Sequence, residues 1–377
     1  MRNIIKSILL ALLVLLSPNF IHASKQAKMA KKSGEIRIKD VSPHKTLNLN
    51  YNYGEMELVF WDKNEIVLKY DECVRASSQK RADEILQKRI AIESIEGRYF
   101  KVGRADDSSV SFNSKWTVYV PSYISSVAAS NSFGNITVGK GFPGLIRINV
   151  QNGDVNIPET KAMCVVEVTH GNFYVGNAAY LNMTTKHANG TISFAQTLKV
   201  QAEHADFCKI DKADVMTINS KHSKIKVGNV GQLSSQGSYS TLEVNELSGL
   251  ANIRDMQHST IEMDKFLGKL DATDLSYSKL NITISKYNHT PFIMVTDLDY
   301  TDVKVKLPAS LRTSIYDNSK GSCKSISSGT AKIKSSAPWS SPNGVSTHVF
   351  KNTESFTPNS LIDINNESYG TILIEEY

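Results

Sequence analysis

The sequence predicts an all-β protein whose body is a right-handed parallel β-solenoid, preceded by a small N-terminal β-rich domain carrying one helix. Three observations predict it. A phrase made of a turn residue, a small residue, a variable residue and an apolar–any–apolar strand returns every 16 to 23 residues from Phe133 to Lys320. No helical periodicity follows Trp116. A unit of about 18 residues is too short for useful antiparallel hairpins, whereas coils stacked in register pair each strand with its copies above and below. Right-handed winding follows from the preference of parallel crossovers. An antiparallel β-sandwich is the competing architecture, and a hexapeptide helix is excluded because its six-residue subperiod is absent.

The chain opens on a secretory signal over 1–23: Arg2 and Lys6 precede the apolar run Ile8–Leu16, a Ser17-Pro18 break and Ile21-His22-Ala23. The run is too short to span a bilayer as a stable helix, and no second apolar stretch follows, so the mature chain is expected to have no transmembrane segment. The formal charge is +6, with 43 basic and 37 acidic residues. Losing Arg2 and Lys6 leaves a mild excess, evenly spread, which argues against a nucleic-acid partner.

Residues 24–115 read as the N-terminal domain. Leu47–Tyr51 alternates, and Tyr53-Gly54-Glu55 leads into Met56-Glu57-Leu58, an outlying copy of the repeat phrase. Ile66–Tyr70 is a further strand. Ser77 or Ser78 caps a helix whose apolar face is Ala82, Ile85 and Leu86, with Glu84 and Lys88 as an i,i+4 pair. Strands Ile90–Ile95 and Tyr99–Gly103 follow, then a polar loop over 104–114.

Residues 116–326 read as the solenoid. Its phrases start at Phe133, Asn152, His170, Asn189, Ala205, His222, Tyr239, His258, Tyr277, Tyr300 and Lys320. Residues 327–377 supply a Ser/Pro/Asn-rich loop and capping strands ending in Tyr369–Ile374. Both open ends of a solenoid need such covers.

Cys73, Cys164, Cys208 and Cys323 show no zinc spacing. Cys208 and Cys323 fall in the apolar column six coils apart, beyond disulfide reach, which predicts free buried thiols.

Gly54 with Val59-Phe60-Trp61-Asp62 and Glu65-Ile66-Val67-Leu68, the helix-bearing insert, Tyr119-Val120-Pro121 and the serial Gly-Asn/Asp phrases resemble the bacterial putative-adhesin family of β-strand-repeat envelope proteins, of unassigned function. Lys306-Leu307-Pro308 repeats the strand-proline step twelve residues before a phrase, as Pro121 does before Phe133. The resemblance covers nearly the whole mature chain and implies a β-repeat fold in the cell envelope. After Asn189 the turns become His-Ser, Tyr-Ser and Tyr-Thr, departing from the family's Ser-Gly-Asp style.

Signatures of catalysis are sparse. Gly139–Gly144 spells GxGxxG, but Leu145–Val150 alternates as a strand and offers no helix N-terminus to a pyrophosphate. His170, His222 and His258 hold the turn column, but this register leaves them on non-adjacent coils, unable to ligate one metal jointly. Asp255, Asp274, Asp297 and Asp317 stand three residues before the turn on four consecutive coils, with carboxylates expected ~5 Å apart. They read as Asx turn devices, as a weak Ca²⁺ site, or as a glycoside-cleaving pair. Tyr239, His258, Tyr277 and Tyr300 form an aromatic edge that either shields the core or holds a sugar.

The function expected is a noncatalytic, adhesin-like binding or scaffolding protein, exported to the periplasm or surface of a Gram-negative bacterium. Its ligand is a glycan or an envelope protein, and no cofactor is required. A polysaccharide lyase or glycoside hydrolase on a β-helix is the alternative.

Overall fold

The computed structural model describes residues 28–43, 46–88, 91–95, 99–103, 114–288, 290–308, 311, 314–317, 325–327, 361–366 and 372–377. The signal sequence, the 104–113 part of the polar loop and Cys323 lie outside them.

Parallel coils stack along one axis as the repeat predicts. Two apolar columns contribute to the core. One runs Ile136, Val155, Phe173, Gly190, Cys208, Ile225, Leu242, Ile261, Leu280, Val303 and Ile372. The other runs Ile146, Cys164, Leu181, Leu198, Met216, Leu233, Ala251, Leu270, Ile293 and Ile362. Strand periodicity of two sends alternate side chains inward, so one contiguous core cluster runs through the stack. Cys164 and Cys208 sit buried and free in different columns. The segment 139–144 is a turn between strands Ile136–Val138 and Leu145–Gln151, with Phe142 buried against Phe60 at 4.4 Å.

Both ends depart from sequence order. Strands Thr46–Tyr51 and Glu55–Trp61 form a full coil of the solenoid, lying between the coil Tyr99–Gly103/Lys115–Pro121 and the coil Ser126–Asn131/Ile136–Val138. The stack therefore continues into the 24–115 region, and Tyr53 stacks on Phe133 at 4.7 Å. The far end mirrors this arrangement. Strands Leu361–Asn366 and Ile372–Glu376 pair with Phe292–Asp299 and Asp302–Leu307, and Ser314–Asp317 and Ser325–Ser327 stack beyond them. The C-terminal strands are thus an interposed coil and not the terminal cover expected.

At the N-terminal end the parallel edge is closed by antiparallel strands. Glu65–Ala76 pairs with Lys115–Pro121, and Lys28–Lys39 pairs with Glu65–Ala76. Helix Gln79–Lys88 packs on this layer through Ala82, Ile85 and Leu86, and Ser78 caps it, accepting the Arg81 N–H at 3.2 Å. Glu72 is buried here and accepts hydrogen bonds from Trp116 Nε1 at 2.5 Å and Ser114 Oγ at 2.6 Å.

Candidate functional site

One edge of the solenoid is a turn column followed by a column of small residues. The small positions read Gly54, Gly134, Gly153, Gly171, Ala188, Ala205, Ser223, Ser240, Ser259, Ser278 and Thr301. Crowding explains the glycines: a Cβ at Gly171 would stand 1.8 Å from the Gly153 carbonyl oxygen. From Ser223 onward a buried hydroxyl takes over. Each Oγ accepts an N–H from the coil before, at Ala205, Ser223, Ser240 and Ser259 in turn, and donates two residues back along its own coil. Thr301 accepts the Ser278 N–H in the same way.

The turn column itself is a ladder of rings. His170, His187, His204, His222, Tyr239, His258, Tyr277 and Tyr300 stack with centroids 4.8 to 4.9 Å apart and planes within 16° of parallel. All eight are exposed and have φ between 46° and 54°. A left-handed conformation costs a non-glycine residue about 1–2 kcal/mol, while an aromatic pair returns about 0.5–1.5 kcal/mol. Backbone pairing also survives the turn: from His170 to Tyr277 each ladder N–H donates to a carbonyl one coil on at 2.8 to 3.0 Å.

The ladder corrects the sequence register. His187 and His204 fill the turn positions assigned to Asn189 and Ala205, so the histidines at 170, 187, 204 and 222 do stand on adjacent coils. The sequence-predicted Tyr239, His258, Tyr277 and Tyr300 are brought together as expected. Their packing face to face leaves each interior ring with both faces against neighbours. What the column presents outward is ring edges, phenol hydroxyls and imidazole nitrogens, not a flat platform for sugars.

The aspartate column is shorter than expected. Asp255, Asp274 and Asp297 lie on three consecutive coils, each with a left-handed φ of 50°, 57° and 54°. Asp317 does not join them. The coil Leu361–Asn366 intervenes, and Asp317 aligns through Ile364 with Val295. The physical reason for the column is a β-bulge: Arg254 and Asp255 together oppose the single Gln236, absorbing the extra length of these coils. Asp tolerates left-handed φ better than most residues. Asp297 Oδ2 accepts from Thr273 Oγ1 at 3.0 Å and Thr296 Oγ1 at 3.3 Å. Among the described residues no three His, Cys, Asp or Glu converge on one point.

Fold and edge together define a β-solenoid with an exposed ring ladder. No family model and no curated protein matches the chain. Solved structures do. A "putative adhesin" from Bacteroides fragilis is 12% identical, with 65% of this chain and 97% of that chain covered, at a TM-score of 0.29. A "putative adhesin" from Parabacteroides merdae is 12% identical, covering 93% and 96%, at 0.30. A "putative lipid binding protein" from Parabacteroides distasonis is 11% identical, covering 92% and 96%, at 0.24. No helix among the described residues is long and apolar enough to cross a membrane.

Proposed function

We propose that this chain is a noncatalytic binding or scaffolding protein of a Gram-negative cell envelope, reaching the periplasm or cell surface through its 1–23 signal. Its ligand is a glycan or a partner envelope protein lying along the ring ladder. One observation carries the reading: eight exposed rings repeat at 4.8 to 4.9 Å along one edge. An extended ligand can meet an exposed aromatic ring at every coil from His170 to Tyr300. Because the ring faces are covered, contact falls to hydroxyls, imidazole nitrogens and the positive ring edges. A noncatalytic role is supported by coils of nearly uniform length. The longest, between Tyr277 and Tyr300, folds its extra residues onto the body, where buried Asn288 donates toward the Phe266 and Gly268 carbonyls at 3.4 and 3.5 Å.

A glycan array probed with the mature chain and with Tyr239→Asn/Tyr277→Asn tests the glycan form, since Asn accepts the left-handed turn. Binding that the double variant loses is expected. No binding by the wild type, or undiminished binding by the variant, overturns it. Protease shaving of intact cells separates a surface location from a periplasmic one.

A further inference from the structure

The histidine half of the ladder supports a site independent of any glycan. His170, His187, His204 and His222 are exposed and stacked on four consecutive coils, at 4.8, 4.8 and 4.9 Å with planes 5°, 5° and 1° apart. Neutral imidazole is a preferred ligand of divalent copper, nickel and zinc. Two metal–nitrogen bonds of about 2.0–2.1 Å span slightly less than one coil repeat, so swinging one exposed ring out of the stack lets two neighbours reach one ion. His204 has a carboxylate beside it. Glu203 Oε1 lies 4.0 Å from His204 Nε2, and Glu203 Oε2 lies 3.3 Å from the Lys186 ammonium. Glu203 Oε1 is thus placed beside an ion held at His204 Nε2, where it can serve as a third donor. His258 differs, because its ring neighbours are Tyr239 and Tyr277.

We propose that the His170–His222 strip binds a divalent transition-metal ion, chiefly across His187 and His204 with Glu203 as the third ligand. Among the described residues no closed cage of three such donors exists. The ion is instead gripped by a pair of coils, with water completing its coordination. Four adjacent histidines supply overlapping pairs, so the strip tolerates loss of an end member better than loss of its centre.

Cu²⁺ is the probe, titrated into the full mature chain by calorimetry, with nitrogen hyperfine structure read by electron paramagnetic resonance. The decisive variant is His187→Tyr/His204→Tyr, because tyrosine already fills this column at Tyr239, Tyr277 and Tyr300 with the same backbone. His187→Asn/His204→Asn is the second variant should the first misfold. A two-nitrogen signal in the wild type, lost in the double variant and kept in His258→Tyr, is expected, with Glu203→Gln weakening binding but keeping both nitrogens. Wild-type affinity no tighter than the double variant's, or an equal loss in His258→Tyr, overturns the proposal. So does a copper signal without nitrogen coupling.

Discussion

Ser259 ties its coil to the coil of Ser240: its Oγ accepts the Ser240 N–H at 3.2 Å and donates to the Gln257 carbonyl at 2.8 Å. Both residues are buried, so neither group can turn to water instead. Ser259→Ala leaves the Ser240 N–H without this acceptor and should cost about 1–3 kcal/mol. Ser259→Thr should cost less, because Thr301 makes the same pair of bonds farther along the column. Urea denaturation of the three proteins checks the order.

Toward the N-terminal end the same column is governed by space. Gly171→Ala drives a methyl into the Gly153 carbonyl, 1.8 Å away, and forces two coils apart. Overpacking of this kind costs about 1–3 kcal/mol. Thermal melting should rank Gly171→Ala well below Ala205→Gly in stability, although each changes a single methyl group in one column.

These two cases show what was legible in the sequence. The alternation of apolar residues and the recurring small residue exposed the solenoid, because both are imposed on every coil by packing. His187 and His204 were missed because Asn189-Gly190 imitates the Asn152-Gly153 turn two residues late, while Ala188 fills the small position. In the next coil one additional residue before Cys208 displaces the phrase by one. The signal that finds them is a ring at every turn from His170 to Tyr300, not a glycine after it. Asp317 was misplaced for another reason. Every coil carries the same inward alternation, so register alone does not say which coil lies next. Only the long-range pairing of Leu361–Asn366 with Phe292–Asp299 decides it.

Burial pushes the Cys164 and Cys208 thiols up from 9.0 to about 12. The native thiols stay protonated where unfolded ones ionise. Their contribution is therefore complete below pH 9 and falls, by about 1.4 kcal/mol per pH unit for each thiol, as pH rises toward about 12. Stability of Cys164→Ala/Cys208→Ala should decline less steeply than wild type from about pH 9 upward. The same burial predicts that iodoacetamide labels neither cysteine until denaturant is added, which mass spectrometry of the peptides resolves.

Glu72 fixes the antiparallel cover to the first coils through Trp116 and Ser114. Glu72→Leu removes the shared acceptor and strands two buried donors, each worth about 1–3 kcal/mol. The loss should be local. Trp116 emission should shift and amide exchange should rise in Lys28–Lys39 and Glu65–Ala76, with the coils beyond Tyr239 unchanged.

The interposed C-terminal coil makes the strongest test of the topology. Were the coils in sequence order, a chain ending at residue 330 would keep Ser314–Asp317 and Ser325–Ser327 seated on the body as its cover. In the observed order those strands rest on Leu361–Asn366 and Ile372–Glu376. Deleting 331–377 removes their seat and uncovers the parallel edges of Phe292–Asp299 and Asp302–Leu307. An uncovered edge is a template for a second chain. Chains ending at 330 and at 308 should therefore behave alike, both associating in light scattering while the full chain does not. A chain ending at 330 that stays monomeric and melts like the full chain would show the coils in sequence order.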